Sequence, residues 1–388
     1  MIYLDYSATT PVDKKVAREM EKYLYHIFAN PSSVHRAGTS ALIAIDKAKD
    51  TISNYLKCQS DEIYFTSGAT ESNNLAIQGT IKKYHRSKSG KKPPHIITTS
   101  IEHPSVLEIC KYLEKTKQAE ITYIRPDSNS IINAEDIEKH IKENTILVSI
   151  MYVNNETGAV QPVKKIGKII AKKNKNRKTP IYFHIDAVQA FLYFDVKPMH
   201  LKADLVSFSA HKIYGPKGIG MLYKKEGIAI DPLMYGGSQQ KGIRPGTLPV
   251  HLIAGFAKAV EVLSSRKEKD IQKVADLKKL LIQKLKEKIP DIIINGDVNL
   301  LSPAIVNIYF PNIDPEAFMT ALDLGGVCIS RGSACASGAT HPSHVLQALR
   351  YDEDRVQNSF RFSLGRFTTK FQILQAIEII SKVYQKIK

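Results

Sequence analysis

The chain has 388 residues, of which 43% are hydrophobic and 24% charged, a composition typical of soluble globular proteins that excludes collagen-like and disordered classes. Its formal net charge of +17 allows an acidic partner, but the lysines are spread along helix-like segments, so we do not expect nucleic-acid binding as the main function. No apolar run reaches the roughly 20 residues that span a bilayer, and the basic start of a signal peptide is missing, so we expect no membrane association.

Short apolar segments alternate with helix-like segments over the first two thirds of the chain. Predicted strands lie at 62–68, 95–100, 121–126, 146–153, 181–186, 204–210 and 219–223. Predicted helices between them include 105–117 and 134–143. Several strands are almost continuously apolar, as is usual for strands that are covered on both faces. The alternation predicts an α/β domain with a mostly parallel sheet.

The pattern changes after the last of these strands. A long, highly charged helix is predicted over about 251–288, and short strands, a helix, a Gly/Ser loop and a final helix follow. This pattern predicts a second, smaller α+β domain. We therefore place the large domain at 14–260 and the small domain at 1–13 together with 261–388.

Polar residues follow directly on five of the apolar runs. They lie at 67–70, 103, 154–156, 186–189 and 209–212. In parallel sheets, ligands bind outside the carboxyl ends of the strands. We therefore expect these five segments to meet at one edge of the sheet and to form a binding site there.

Two of these segments are suited to bind a cofactor that carries a carbonyl and a phosphate. A lysine in a desolvated pocket can form a Schiff base with a carbonyl, which is one interpretation of Lys212; the other is a surface lysine in a loop. Ser209 and His211 can donate hydrogen bonds to an anion. The helix that begins after Gly68 offers backbone N–H groups to a phosphate, although the sequence T-E-S-N at 70–73 is also typical of an ordinary helix cap.

Asp186 and His103 complete the candidate site. Asp186 ends an apolar strand, where a buried carboxylate is costly without a cation. A protonated pyridine nitrogen, as in pyridoxal phosphate sites, would be such a partner; the alternative is an aspartate that caps the next helix. His103 precedes Pro104 and either stacks on an aromatic ring or serves as a helix-capping or core residue.

Four cysteines are present, without C-x-x-C or zinc-site spacing: Cys58, Cys110, Cys328 and Cys335. We therefore expect no disulfide framework, no metal site and a reducing cytoplasmic location. Cys335 lies in a loop over about 329–342 that contains few apolar side chains able to form a core, so we expect the loop to be mobile. The neighbouring Arg331 favours a reactive thiolate, whereas Cys328 lies in an apolar run and is expected to pack.

Ten motifs occur along nearly the whole chain: YLDYSATTPV (3–12), NPSSVHRAG (30–38), FTSGATESNNLAI (65–77), EHPSV (102–106), VSIMYVNNETGAVQ (148–161), HIDAVQ (184–189), SFSAHKIYGPKGIG (207–220), RPGTLPVHLIAG (244–255), SRGSACASGATHPSHVL (330–346) and SFRFSLGRFTT (359–369). With these motifs in this order, the chain resembles the cysteine desulfurases of the NifS/IscS family. The resemblance implies a class V aminotransferase-like enzyme that uses pyridoxal 5'-phosphate. It also implies the α/β type I fold of aspartate aminotransferase, with a mostly parallel seven-stranded sheet in the large domain and a smaller α+β domain.

The resemblance also implies roles for individual residues. Lys212 would bind the cofactor and transfer protons, Asp186 would pair with the pyridine nitrogen, and His103 would stack on the ring and take part in catalysis. Gln189 would reach the phenolic oxygen. Four residues of the same chain would bind the phosphate: Ala69, Thr70, Ser209 and His211. Thr247 would also bind it, from this subunit or from the partner subunit.

The implied substrate is L-cysteine, which is converted to L-alanine. Arg361 would bind its carboxylate through the planar guanidinium, Asn155 would lie near cofactor and substrate, and Cys335 would take the sulfur as a persulfide. The sulfur would pass to an iron–sulfur scaffold, a tRNA-thiolation protein or another carrier. A homodimer is expected.

Two positions depart from the family pattern. Ala210 stands where many members have Gly, and Arg331 stands where Ser or Gly is common; we hypothesise that Arg331 lowers the Cys335 thiol pKa or contacts an acceptor. The loop that carries Cys335 resembles the longer type found in the family, which favours direct transfer of sulfur to a scaffold protein. The C-terminal extension that some members use to dock a scaffold looks shortened before Lys388, so the sulfur acceptor stays open.

Two other functions remain open at this point. One is a different type I enzyme, such as an aminotransferase or a selenocysteine lyase, although a transaminase has no use for a thiol on a mobile loop. The other is a basic binding or scaffold protein that has lost its activity, although every residue that the chemistry requires is present.

Overall fold

The computed structural model describes residues 1–87, 92–332 and 342–388. The larger part is built on a seven-stranded sheet of β2 (Ile63–Thr66), β3 (His95–Thr99), β4 (Glu120–Ile124), β5 (Thr145–Met151), β6 (Tyr182–Asp186), β7 (Leu205–Ser209) and β8 (Gly220–Lys224). Its strand order is β2-β8-β7-β6-β5-β3-β4. All neighbours are parallel except β8, which runs antiparallel to β2 and β7. The predicted mostly parallel seven-stranded sheet is confirmed.

Helices surround this sheet and account for the apolar character of its strands. They are α1 (Lys14–Tyr25), α2 (Arg36–Leu56), α3 (Ala69–Ser87), α4 (Pro104–Lys115), α5 (Ala134–Lys139), α6 (Val163–Asn174), α7 (Pro198–Leu201) and the first half of α8 (Val250–Lys288). Every residue of β5 and β7 is buried, as expected for strands that are covered on both faces. The core therefore lies on both sides of the sheet, and polar residues are left for the strand ends.

The smaller part has its own apolar core. Its strands are β1 (Ile2–Tyr3), β9 (Ile293–Ile294), β10 (Ile305–Tyr309), β11 (Val327–Cys328) and β12 (Ser359–Ser363), and its helices are α9 (Pro315–Leu324), α10 (His344–Ala348), α11 (Glu353–Gln357) and α12 (Lys370–Ile387). β10 pairs antiparallel with β9 and β12, and β1 pairs parallel with β11. This arrangement confirms the predicted smaller α+β unit.

Helix α8 joins the two cores. Its first half, up to Leu263, packs into the core of the large sheet, and its second half, from Val274, packs into the small core. Since one continuous helix serves both cores, the domain boundary at 260/261 stays a prediction.

A buried ionic cluster around Arg366 also ties the two parts together. Its guanidinium donates to Asp270 of α8 at 2.6 Å and to Asp13, the N-cap of α1, at 3.0 Å. It also lies over the ring of Tyr214, 4.3 Å from the centroid. Tyr214 follows Lys212 by two residues, so this cluster links the small domain to the segment that carries the lysine of the candidate site.

We expect Arg366→Met to lower the free energy of unfolding by about 3–5 kcal/mol, because the buried Asp270 loses its nearer cation and the partly buried Asp13 loses its ion pair. Urea denaturation of the full chain measures the change. Arg266→Met is the matched control: this arginine contacts the same Asp270 at 3.4 Å, but its side chain is 44% exposed, so we expect a loss of at most about 1 kcal/mol. Equal losses in the two variants would contradict the prediction.

Candidate active site

The five polar segments meet at one cavity of about 430 Å³ at the carboxyl edge of the sheet. Ten of the twelve predicted site residues line it: Ala69, Thr70, His103, Asn155, Asp186, Gln189, Ser209, His211, Lys212 and Arg361. Thr247 does not line the cavity of its own chain and is exposed in the segment before α8. Cys335 lies outside the described residues. The structure therefore brings together the groups that the sequence had placed after separate strands.

Lys212 ends a single helical turn, Ala210–Lys212, that directly follows β7. Its Nζ donates to the backbone carbonyl oxygens of Ser7 at 2.5 Å and Ala8 at 2.7 Å. The Gln189 side-chain amide donates to the same Ser7 oxygen at 2.9 Å. The N-terminal segment therefore holds the lysine at the cavity wall.

The start of α3 offers donors for an anion. Ser72 is the first residue of α3 whose backbone N–H bonds to a preceding carbonyl, that of Gly68 at 3.1 Å. The N–H groups of residues 69–71 are therefore helix-start donors with no intrahelical partner, whereas the Ser67 N–H donates to the Glu71 carboxylate at 2.6 Å. The loop fits closely against β8: a Cβ at Gly220 would lie 2.7 Å from the Gly68 Cα. Ser209 and His211 line the same cavity, so several donors are available to one phosphate-sized group.

His211 is a neutral member of this group. Burial, together with the charges of Lys212 and Lys217, lowers the pKa of His211 to about 3. Its Nδ1 lies 3.0 Å from the Thr9 hydroxyl. At physiological pH this imidazole is therefore neutral, and it contributes hydrogen bonds to the site and no positive charge.

Asp186 and His103 serve the cavity and their local backbone at the same time. Asp186 is 7% exposed at the end of β6, and its Oδ1 accepts from the Val188 N–H at 3.0 Å. His103 is the N-cap of α4, where its Nδ1 accepts from the Ser105 N–H at 3.1 Å. The helix-capping interpretation of His103 is therefore confirmed, whereas Asp186 accepts from a turn and no helix follows it directly. Both side chains also line the cavity, and their contacts with a cofactor stay a prediction.

Arg361 is the deepest charged group at the site, with a side chain that is 1% exposed on β12. Its Nη2 donates to Asp5 at 2.7 Å and its Nη1 donates to the Asn155 carbonyl at 3.0 Å. Its Nε–H is buried and has no partner among the described residues. The guanidinium is therefore charge-balanced by Asp5 and keeps an unused donor.

The N-terminal segment was missed as part of the site. Residues 1–13 are predicted to belong to the small domain, and β1 does pair there, but Ser7, Ala8 and Thr9 line the cavity. Thr10 donates to the His211 carbonyl from its backbone at 3.0 Å and from its hydroxyl at 2.9 Å. The polar run after Leu4, which is too short to form a core, was the available signal.

The three described cysteines are poor nucleophiles. Burial raises the pKa of Cys58 to about 12, and it also raises the pKa of the Cys110 and Cys328 thiols. Arg331 donates to the Gln357 side-chain oxygen. Its hypothesised effect on the Cys335 thiol stays a prediction, because Cys335 lies outside the described residues.

Neither a membrane-spanning helix nor a metal-binding cluster occurs among the described residues. No helix in residues 1–87, 92–332 and 342–388 combines the length and the apolar character that a membrane crossing needs. Within the same ranges, no three His, Cys, Asp or Glu side chains are grouped so that they could hold a metal ion.

Comparison with known proteins assigns the family. The family model described as aminotransferase class-V matches residues 2–375. A protein of Dictyoglomus turgidum named "Cysteine desulfurase IscS" is 40% identical over 387 residues, which covers 100% of this chain and 95% of that protein. A solved structure titled "NIFS-LIKE PROTEIN" has a TM-score of 0.90 and 34% identity and is covered, like this chain, over 100% of its length. Another, titled "SspA in complex with cysteine", has a TM-score of 0.80 and 35% identity and covers 95% of this chain and 100% of its own.

These matches agree with the predicted fold and with the resemblance drawn from the ten motifs. The similarity covers 95–100% of this chain and of the relatives named here, so it includes the large sheet, the cavity at its edge and the smaller part of the structure. The chain belongs to the class V aminotransferase family and, within it, to the pyridoxal phosphate-dependent cysteine desulfurases.

Proposed function

We propose that the 430 Å³ cavity is where this enzyme converts L-cysteine to L-alanine, and that Cys335 takes the sulfur as a persulfide. The observation that carries the proposal is the shared lining of one cavity by an amine, Lys212, a buried carboxylate, Asp186, and a buried guanidinium, Arg361. An amine and a carboxylate suit the cofactor, and a guanidinium suits an amino-acid carboxylate.

The residues present fit pyridoxal 5'-phosphate. The buried Asp186 can pair with a protonated pyridine nitrogen, and the start of α3 with Ser209 and His211 can bind the phosphate. Gln189 and His103, which line the same cavity, would contact the phenolic oxygen and the ring face. When bound, the cofactor supplies an electron sink for the negative charge that develops at the substrate Cα.

Lys212 is the group that we assign to proton transfer. Its Nζ would take the proton from the Cα of L-cysteine as a base and return a proton as an acid. Asn155 and Arg361 would hold the substrate so that this Cα faces the amine. Arg361 lines the cavity, so we assign its guanidinium to the substrate carboxylate.

The Cys335 thiolate would then attack the sulfur of the substrate. A sulfur–sulfur bond forms, the bond between Cβ and sulfur breaks, and its electron pair stays with the carbon fragment, which is protonated and released as L-alanine. The net reaction converts L-cysteine and the Cys335 thiol to L-alanine and the Cys335 persulfide, so no outside oxidant or reductant is needed.

Mass spectrometry of the protein after incubation with L-cysteine tests this proposal. We expect one added sulfur atom on the peptide that contains Cys335, formed together with alanine. The peptide with Cys328, whose thiol pKa is raised by burial, serves as the internal control and should stay unmodified. Alanine production without sulfur on Cys335 would overturn the assignment.

We also propose a homodimer in which Thr247 completes the phosphate site of the partner subunit. Two observations support it: Thr247 is exposed and does not line its own cavity, and large apolar side chains are exposed on the same chain, among them Tyr25, Phe28 and Tyr235. Light scattering of the purified protein should give twice the chain mass of 43.4 kDa. A monomer that binds the cofactor with full affinity would contradict the proposal.

The sulfur acceptor is proposed to be a protein of the cytoplasm, either an iron–sulfur scaffold or another sulfur carrier such as a tRNA-thiolation protein. The net charge of +17 supports an acidic surface on that protein. Incubating the persulfide form with a purified candidate and following loss of sulfur from Cys335 distinguishes acceptors from bystanders.

Arg361→Lys should raise KM for L-cysteine by about 10-fold or more, because a lysine cannot replace the planar pair of donors and a hydrogen bond to a charged group is lost. The lysine keeps a positive charge for Asp5, so the buried carboxylate is not left alone. Steady-state alanine formation measures the effect. Arg355→Lys, on α11 and outside the cavity, is the control, and an unchanged KM for Arg361→Lys would count against the assignment.

A further inference from the structure

Asn73 and Ser105 link His103 to Asp186, and of these two residues Ser105 also lines the cavity. Asn73, on α3, is fully buried, and its Nδ2 donates both to the Asp186 Oδ2 and to the Ser105 Oγ, each at 2.8 Å. The Ser105 Oγ lies 2.8 Å from the His103 Nδ1. One continuous chain of hydrogen bonds therefore runs from Asp186 through Asn73 and Ser105 to His103.

Chemistry sets the direction of every bond in this chain. An ionised carboxylate only accepts, so the amide nitrogen of Asn73 must face Asp186, and that same nitrogen donates to Ser105. The Ser105 oxygen can accept two hydrogen bonds, so the direction of its contact with His103 is set by the histidine, whose Nδ1 caps α4 as an acceptor. The hydroxyl proton is therefore directed to the His103 Nδ1. The backbone N–H of Ser105 also donates to this nitrogen, at 3.1 Å. Nδ1 of His103 is therefore an acceptor of two hydrogen bonds.

A ring nitrogen that accepts two hydrogen bonds carries no proton. His103 must then be the neutral tautomer with its proton on Nε2, since a neutral imidazole has one donor and one acceptor. Burial lowers the pKa of His103, the charges of Lys212 and His344 lower it further, and only Asp186 opposes them. Protonation of Nδ1 would also set its N–H against the N–H of Ser105.

We propose that Asn73 and Ser105 are positioning residues that select the Nε2–H tautomer of His103 and orient Asp186 through one shared amide. The inference rests on the proposed function, in which His103 and Asp186 contact the cofactor. It gives the two residues a role that acts through His103 and Asp186, although Ser105 itself lines the cavity. Because one Nδ2 serves both branches, a change at Asn73 should disturb the histidine and the carboxylate together, whereas a change at Ser105 should disturb the histidine alone.

The primary test is ¹⁵N NMR of the full chain labelled at histidine, with and without pyridoxal phosphate. In the wild type, we expect the His103 Nδ1 to show the chemical shift of an unprotonated nitrogen. In Ser105→Ala, we expect the His103 pKa to rise by about 0.5–1 unit, since one hydrogen bond to the unprotonated Nδ1 is lost. Ser105→Thr, which keeps the hydroxyl, should restore the wild-type pKa.

The second readout is the pH dependence of kcat/KM for L-cysteine. The acidic limb should move to higher pH in Ser105→Ala by the same amount as the His103 pKa, with little change at the plateau; a merely structural loss would lower the plateau instead.

Asn74→Ala is the matched control for Asn73→Ala, because Asn74 is the next residue of α3 and its amide donates to backbone carbonyls at Thr70 and Ser105.

A protonated His103 Nδ1 in the wild type would overturn the inference without any variant. An unchanged His103 pKa in Ser105→Ala would also overturn it, as would equal effects of Asn73→Ala and Asn74→Ala on the His103 pKa. A wild-type protein that shows the expected tautomer but forms no alanine would instead refute the proposed function, so the two failures are distinguishable.

Discussion

Replacing Lys212 with alanine should lower the rate of alanine formation from L-cysteine by about 10³-fold or more, within the range known for positioned acid–base groups. The variant removes the one amine that hydrogen-bonds the Ser7 and Ala8 carbonyls at the cavity wall. Without it, no group is assigned to remove the proton at the substrate Cα or to bind the cofactor carbonyl. Alanine formation should be measured at saturating pyridoxal phosphate, so that weaker cofactor binding does not produce the loss.

Lys225→Ala is the control for this prediction. Its side chain is 57% exposed, lies next to Asp204 rather than in the cavity, and should leave the rate unchanged. A Lys212→Ala protein that keeps more than about a tenth of wild-type turnover at saturating cofactor would show that another base removes the proton.

Replacing Cys335 with serine should lower alanine formation from L-cysteine by more than about 10³-fold, the scale of losing an attacking nucleophile. A serine hydroxyl stays protonated near neutral pH and is a far weaker nucleophile toward sulfur than a thiolate. Proton transfer by Lys212 would be intact, so exchange of the Cα hydrogen of L-cysteine with solvent deuterium should continue while carbon–sulfur cleavage stops. The two readouts together separate loss of the nucleophile from loss of the site.

Cys328→Ser provides the comparison, since it changes a thiol on β11 whose pKa is raised by burial. We expect this variant to keep wild-type turnover. Full turnover in Cys335→Ser would remove the persulfide step and favour another reaction at the same site, such as that of an aminotransferase or a selenocysteine lyase.

The large sheet could be predicted closely from the chain alone. The predicted strand 146–153 is β5 at Thr145–Met151, and the predicted strand 204–210 is β7 at Leu205–Ser209. Strands buried on both faces must be apolar over their whole length, so the hydropathy pattern marks them directly. The short strands of the small domain were harder: of 291–296, only Ile293–Ile294 forms a strand, because so short an edge segment has too few residues to show a periodicity.

The candidate site was predictable for a related reason. Lys212, Asp186 and His103 each follow a buried strand or precede a helix, and the ends of parallel strands meet at one edge. A polar residue at such a point is conspicuous after an apolar run. Their hydrogen-bond partners were not predictable, because the amino-acid sequence shows which groups are present but not which side chains face one another.

Local order along the chain therefore determined the α/β architecture, the small domain and the polar strand ends that form the cavity. Only tertiary structure decided that Asp5 would balance Arg361 across 356 positions, that the Ser7 carbonyl would hold Lys212, and that Asn73 would join His103 to Asp186. The physical reason is distance along the chain: hydropathy and helix signals come from neighbouring residues, whereas the pairing of a buried charge depends on where the folded backbone brings two remote segments together.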